Sequence, residues 1–150
     1  MRKTWSVNNL HWESLPEEFL NGNWKKVGYV SNSIRLVPKA GGIYMYCVGI
    51  PKSDNENLEQ VRTPIYMGIS KNLRDRFRSH LKNPNIERMA ECFGNRLHFF
   101  HLKIDPYDEK DVRLKFEQPM IDCFGKVVNK IDSVKQLPEL EAALGEFKPI

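Results

Sequence analysis

The chain has 150 residues, of which 23 are Lys or Arg and 19 are Asp or Glu, so its formal net charge is +4. A single domain of this length buries about 70% of the surface of its unfolded chain, which is enough for one good core. With 28% charged residues and no apolar run near the ~20 residues of a membrane helix, the composition excludes a membrane-spanning protein.

The first residues and the cysteines indicate a compartment. Residues 1–6 lack an apolar segment after their positive charges and lack a small-residue cleavage site, so we expect a cytoplasmic protein. Cys47, Cys92 and Cys123 are odd in number and widely spaced, which fits neither a disulfide framework nor a zinc knuckle. We expect all three to be reduced, packed thiols.

Positive charge is concentrated in the middle of the chain. Nine cations and three anions lie between Arg62 and Lys103, a local charge of +6, while the rest of the chain sums to −2. Such a segment suits binding to a phosphate backbone, because each neutralised phosphate releases condensed counterions. A solvated helix face would explain the same charges, and charge alone does not separate these two interpretations.

Residues 1–40 contain a predicted short helix and all the tryptophans. Ser14 is the expected N-cap of this helix, with Pro16 in its first turn and Glu17 three residues after the cap. Aromatic side chains can stack on bases, yet tryptophan is highly buried on average. We therefore expect the tryptophans to pack against the main domain. They are Trp5, Trp12 and Trp24.

Two runs of strand-forming residues follow. From Gly42 the pattern has period two, which places Tyr44 and Tyr46 on one face of a strand. After a polar connection over residues 51–63, residues 64–68 form a second run that ends at a glycine. The two runs are predicted to pair as an antiparallel hairpin with a long loop.

The next predicted helix carries several basic residues. It is capped by Asn72 and runs from Leu73 to about Leu81. Arg76 and His80 are spaced i,i+4, so they are expected to be neighbours at the edge of the core. The other flank of the helix carries two further cations, Arg74 and Arg78.

The last elements are a helix over residues 86–92, a strand over residues 97–102 and a long helix from Asp108 towards Phe124. Glu117 falls within the apolar arc of the long helix, where a carboxylate is costly unless a cation or donor compensates it. Pro119 removes a helical hydrogen bond and is expected to kink this helix. His98 and His101, on opposite faces of the strand, are interpreted as structural or surface residues, as is His11.

Five sequence elements occur in one order across residues 42–129. They are Gly42-Ile43-Tyr44, Tyr66-Met67-Gly68, Arg76 with His80, Glu117, and Asn129. This order resembles the GIY-YIG nuclease family. The segment from Tyr66 to His80 is similar to the second motif of that family and to the helix after it. The later glutamate, the apolar pair Met120-Ile121 and the asparagine are similar too.

The resemblance implies an α+β fold in which a small three-stranded antiparallel β-sheet is flanked by α-helices. The nuclease domain would cover residues 41–130. Residues 1–40 would form an N-terminal extension that packs on this core. Residues 131–150 have apolar positions at helical spacing and would form a C-terminal helical extension.

The resemblance also implies hydrolysis of phosphodiester bonds in DNA with a divalent metal ion, Mg²⁺ or alternatively Mn²⁺. This reaction needs a nucleophilic water, a metal and positive charge near the phosphate. Glu117 supplies a hard oxygen ligand for Mg²⁺, and the planar fork of Arg76 suits a phosphate clamp. By analogy with the family, Tyr44 is the general base and Tyr66 orients the water or the phosphate. His80 would donate to a phosphate oxygen or assist proton transfer.

Four further residues are candidates for substrate binding. Lys71 would add positive charge at the phosphate, and Asn129 would position a neighbour or the backbone near the metal. The two arginines on the other flank of the predicted helix would contact the substrate through their charge. These two are Arg74 and Arg78.

Two other functions are compatible with the same sequence. Ile69 stands where many family members have a basic residue, and Lys126 stands where proline is common. These departures motivate a catalytically inactive, nucleic-acid-binding module of the same fold. The lack of a separate recognition domain motivates a homodimer or a partner protein that adds specificity. Double-stranded, single-stranded and branched DNA all stay open as substrates at this point.

Overall fold

The structure is a computed structural model and describes residues 14–50, 54–59 and 62–124. Several sequence predictions fall outside these residues. They concern Trp5, Trp12, Lys126, Asn129 and the C-terminal extension over residues 131–150. Among the described residues, no helix combines the length and the apolar character needed to cross a membrane.

A four-stranded antiparallel sheet forms the centre of the fold, with the strand order β1-β4-β2-β3. The predicted α+β class and the β2–β3 hairpin are confirmed. The prediction of three strands was wrong, because β1 adds to the outer edge of β4 from within the segment over residues 1–40. The strands are β1 (Lys25–Gly28), β2 (Gly42–Gly49), β3 (Arg62–Ser70) and β4 (Leu97–Lys103).

The sequence does not predict β1 because the strand lacks an alternating apolar pattern. Only Val27 is buried, and the strand begins with Lys25 and Lys26. The strand is held by its backbone pairing, in which Val27 lies opposite Phe99 of β4. Short edge strands rich in lysine are typical of natural sheets, since the charges discourage pairing with a second chain.

Helices cover the sheet. The sequence predicted two N-cap residues, Ser14 and Asn72, and the structure confirms Asn72. The Asn72 side chain accepts a hydrogen bond from the Asp75 amide at 3.1 Å and caps α3 as expected. Ser14 does not cap α1, where Pro16 occupies the N-cap position, and the Ser14 hydroxyl instead hydrogen-bonds Cys123. The helices are α1 (Glu17–Leu20), α2 (Glu56–Glu59), α3 (Leu73–His80), α4 (Pro84–Phe93), α5 (Glu109–Val112) and α6 (Gln118–Phe124), with 3₁₀ helices at Ser31–Leu36 and Gly94–Arg96.

The predicted long helix is present, and its centre is irregular. A π-helical turn, Arg113–Glu117, joins α5 to α6. Pro119 has no amide hydrogen for the ordinary helical bond to Lys115, so the helix widens just before it. This π turn is the local response to the proline that the sequence predicted as a kink.

The core packs both faces of the sheet against the helices. Trp24 packs against it as predicted, with its indole nitrogen donating to the Phe19 carbonyl at 2.6 Å. All three cysteines are unpaired, also as predicted, and Cys47 and Cys123 are buried. The largest fully buried side chains include Tyr44, Tyr46, Tyr66, Phe77, Phe99, Phe116, Ile43, Met67, Leu73, Ile86, Met89 and Leu97.

The segment before β2 satisfies the amino end of α3. The first amides of a helix have no partner within it. Here the amides of Leu73 and Arg74 donate to the carbonyls of Ala40 and Pro38. The Arg74 guanidinium adds a bond of 2.6 Å to the Val37 carbonyl and one of 3.0 Å to the carbonyl two residues earlier. Arg74 therefore fixes the position of α3 relative to the entry of β2.

Arg74→Ala should destabilise the fold by about 2 kcal/mol, because hydrogen bonds from charged donors contribute about 1.5–3 kcal/mol. Arg78→Ala is the matched control, since its partner Asp75, at 3.0 Å, is exposed like Arg78 itself. Exposed pairs contribute less than about 1 kcal/mol. Urea unfolding followed by circular dichroism measures both variants, and equal losses would contradict the anchoring role of Arg74.

His101 is a buried polar side chain in the sheet. It is 2% exposed, and its Nε2 has no hydrogen-bond partner among the described residues. Lys25 of β1 lies directly opposite it. Burial, and then the charge of Lys25, lowers the pKa of His101 from 6.5 to about 4. The imidazole is therefore neutral in the native protein near neutral pH.

His101 should make the protein less stable as the pH falls from 6.5 towards 4. In this window the unfolded chain takes up a proton that the native imidazole does not, so the free energy of unfolding decreases by up to about 1.4 kcal/mol per pH unit. His101→Gln should flatten this dependence. Urea unfolding at a series of pH values measures it, and parallel curves for the native chain and the variant would refute the pKa assignment.

Candidate active site

Strand pairing brings the predicted catalytic tyrosines to one face of the sheet. Tyr44 of β2 lies opposite Gly68 of β3 and opposite His101 of β4. Tyr46, two residues later on the same strand, lies opposite Tyr66 of β3. Residues directly opposite each other in an antiparallel pair share a face. The sheet register therefore places the tyrosines of both motifs side by side.

The Tyr44 side chain crosses β3 directly over Gly68. A Cβ atom at this glycine would collide with the Tyr44 hydroxyl, so the close approach requires glycine here. The Tyr44 hydroxyl lies 3.2 Å from the Tyr66 hydroxyl, within hydrogen-bond distance. Both side chains are almost fully buried, with exposures of 2% and 1%. The glycine of the second motif thus makes room for the hydroxyl pair.

α3 inserts His80 into this group of tyrosines. The His80 Nδ1 lies 2.8 Å from the Tyr46 hydroxyl. The imidazole centroid is 5.4 Å from the Tyr44 ring and 6.0 Å from the Tyr66 ring. Tyr29 donates a hydrogen bond of 2.7 Å to the His80 carbonyl and holds the end of the helix. We call Tyr44, Tyr46, Tyr66 and His80 the tyrosine cluster.

Arg76 lies one helical turn before His80 and is partly buried. Its charge acts on Tyr107, the residue whose ring packs against Gly41 at the entry of β2. Burial, followed by the charge of Glu109, raises the pKa of Tyr107, while the charges of Arg113 and Arg76 act in the opposite direction. Arg76 and Arg113 therefore both lie near the Tyr107 phenol.

Glu117 lies in the π turn and does not have the surroundings predicted for it. Its side chain is 43% exposed, and its carboxylate lies 3.6 Å from the Arg113 guanidinium. The expectation of an apolar environment was wrong, because the extra residue in a π turn shifts the angular positions that regular helical spacing assigns. Arg113 supplies the compensating cation. The charge of Arg113 also acts to lower the pKa of Tyr107.

The candidate substrate-binding residues have different surroundings. Lys71 is exposed just before α3, and Arg78 forms its exposed pair with Asp75. Arg74 is held by backbone carbonyls, as described above. Together with Arg35, Arg74 and Arg78 line a surface cleft of about 580 Å³ between α3 and the 3₁₀ helix Ser31–Leu36. Asn129 lies outside the described residues.

Sequence reasoning did not single out three residues of this region. The period-two pattern of β2 already placed Tyr46 on the face of Tyr44, so that signal was present. Tyr29 and Tyr107 carry no motif signal, because their neighbours at the site come from segments distant in sequence. Their contributions depend on tertiary packing, which spacing along the chain does not encode.

The residues present fit a hard divalent cation with few protein ligands. Among the described residues, no group of three or more His, Cys, Asp and Glu side chains could enclose a metal ion. Mg²⁺ is commonly bound by one or two carboxylates and keeps several waters. The half-exposed carboxylate of Glu117 suits this mode, whereas a structural zinc site needs four protein ligands.

Comparison with known families agrees with the geometry. The family model of the GIY-YIG catalytic domain matches residues 41–132, well over half of the chain. No curated protein and no solved structure gave a match. The matched range contains every site residue predicted from the sequence, including Tyr44, Arg76 and Glu117. The chain belongs to the GIY-YIG family of nuclease domains.

Proposed function

We propose that the chain is a metal-dependent DNA endonuclease and that the tyrosine cluster is the centre of its active site. The observation that carries this proposal is the buried pair of Tyr44 and Tyr66 hydroxyls, 3.2 Å apart, beside the His80 imidazole. The pair lies within the matched nuclease domain. A hydroxyl pair held in this way can transfer and stabilise a proton without rearrangement of the backbone.

Tyr44 is the general base that takes a proton from the attacking water. A phenol with a pKa near 10 is a weak base at neutral pH, so its ionised form needs donors and cations nearby. Tyr66 donates a hydrogen bond to the ionised oxygen, and its burial strengthens this bond. The Tyr46 hydroxyl forms a hydrogen bond with Nδ1 of His80 and fixes the orientation of the imidazole before substrate binds.

Arg76 binds the scissile phosphate through its planar guanidinium. Glu117 holds the divalent ion, Mg²⁺ or Mn²⁺, and Arg113 orients its carboxylate through the ion pair at 3.6 Å. When bound, the ion supplies Lewis-acid polarisation of a phosphoryl oxygen and neutralises developing charge. The protein therefore contributes one carboxylate to the metal and a cation to the phosphate.

The substrate backbone runs along α3. Arg35, Arg74 and Arg78 line the cleft beside α3, the helix that also carries Arg76 and His80. Lys71 extends this positive surface, and Asn129 keeps its sequence-based assignment of positioning a neighbour or the backbone near the metal. The locally basic charge supports binding to phosphates generally and carries no preference for a base sequence. We propose that a second copy of the chain or a partner supplies that preference.

Glu117→Gln should abolish metal-dependent cutting of supercoiled plasmid, with a loss of at least about 100-fold, the size typical for removing a group that stabilises charge in the transition state. The matched control is Glu109→Gln. Its carboxylate pairs with the same Arg113 at 3.5 Å and is exposed to a similar extent. Reactions contain Mg²⁺, Mn²⁺ or EDTA, and the control should cut within about threefold of the native rate.

Full activity of Glu117→Gln with Mg²⁺ would contradict the metal assignment. Absence of cutting by the native chain with either metal, together with salt-dependent DNA binding, would instead identify a binding module. Ile69 gives this second function a structural basis. It is buried at the end of β3, so this position offers no cation to a phosphate.

A further inference from the structure

A second cleft lies on the face of the sheet opposite to the tyrosine cluster. His101 and Lys25 share the face of Tyr44, because the three residues lie opposite one another on β4, β1 and β2. Side chains alternate between faces along a strand. Lys26 and His98 are therefore on the other face, where a cleft of about 280 Å³ opens.

The lining of this cleft is strongly basic. Its basic residues come from β1, β3, the second 3₁₀ helix and β4, and they are Lys26, Arg62, Arg96 and His98. No Asp or Glu is among the described residues that line it. Burial is the main cause that lowers the pKa of His98, and the charges of Lys26 and Arg62 lower it further. These cations are thus close enough to act on one imidazole.

Two of the arginines lie against the backbone of Gly49. The Arg96 Nε donates to the Gly49 carbonyl at 2.9 Å, and the His98 Nδ1 lies 3.2 Å from the Arg96 carbonyl. The Arg62 guanidinium lies against Gly49, and a Cβ atom there would approach it to 3.0 Å. Cations clustered in a cleft give it a positive potential, which attracts anions.

We propose that this cleft binds backbone phosphates of a nucleic acid strand, as a second contact on the sheet face remote from the tyrosine cluster. The inference rests on the proposed action on nucleic acid, and it holds for a nuclease and for a binding module alike. Two contact regions on opposite faces of one sheet suit two arms of a branched or sharply bent substrate. A single straight duplex would reach only one of them.

The test is binding of a labelled four-way DNA junction, measured by fluorescence anisotropy in EDTA over a series of salt concentrations. Lys26→Gln/Arg62→Gln should weaken binding and make the slope of log K against log[salt] shallower by about 2, since each phosphate contact contributes about 0.9. Lys26→Gln alone, at an exposed position, should reduce the slope by about 1. Thermal midpoints verify that both variants are folded.

Lys103→Gln is the matched control, because this exposed lysine ends β4, the strand that carries His98, and lies outside the basic cleft beside Glu17, Glu18 and Asp105. Its slope should equal that of the native chain. A native slope in both Lys26 variants would overturn the proposal. A response of the His98 imidazole resonance to inorganic phosphate, with no response to saturating junction, would also overturn it, because the cleft would then be a small-anion site. Since no cleavage is measured, failure of the nuclease proposal gives a separate result.

Discussion

The Tyr44 side chain reaches Tyr66 only because β2 and β3 pair in one register, with Gly68 directly beneath the Tyr44 ring. A slip of one residue would move Tyr44 to the other face of the sheet and put a side chain where the glycine is now. The hydroxyl pair, the His80 contacts and the packing of Phe99 all depend on this register. The positions of both hydroxyls therefore depend on the pairing of the whole hairpin and on Gly68.

α3 is the second determinant of the site, because it carries both Arg76 and His80. Its amino end is fixed by backbone carbonyls from the segment before β2 and by the Arg74 guanidinium. Its carboxyl end is fixed by Tyr29, which donates to the His80 carbonyl. With both ends anchored, the His80 ring lies among the tyrosines and is oriented by Tyr46. A loop could not hold an imidazole as precisely against three aromatic rings.

Much of this arrangement follows from the sequence, and the exceptions have physical causes. Period-two spacing predicted β2 and the common face of Tyr44 and Tyr46, and the Asn72 cap predicted the start of α3. β1 was not predictable, since two lysines and one buried valine give no strand pattern. Regular helical spacing placed Glu117 within the apolar arc, and its side chain is instead 43% exposed because the π turn before Pro119 changes that spacing. The contacts of Tyr29 and Tyr107 arise from tertiary packing and have no local signal.

The most direct measurement is the single-turnover rate of DNA cleavage by Tyr44→Phe in the presence of Mg²⁺. Tyr29→Phe, which also loses one phenolic hydroxyl, is the matched control. The Tyr29 hydroxyl donates to the His80 carbonyl and acts on the site through the position of α3, so its loss should lower stability by about 1 kcal/mol and slow cleavage far less than loss of the Tyr44 hydroxyl. Tyr44→Phe should fold, bind DNA and cleave at least about 100-fold more slowly, as expected for loss of a general base. A Tyr44→Phe rate within about threefold of the native rate would contradict the role of the hydroxyl pair.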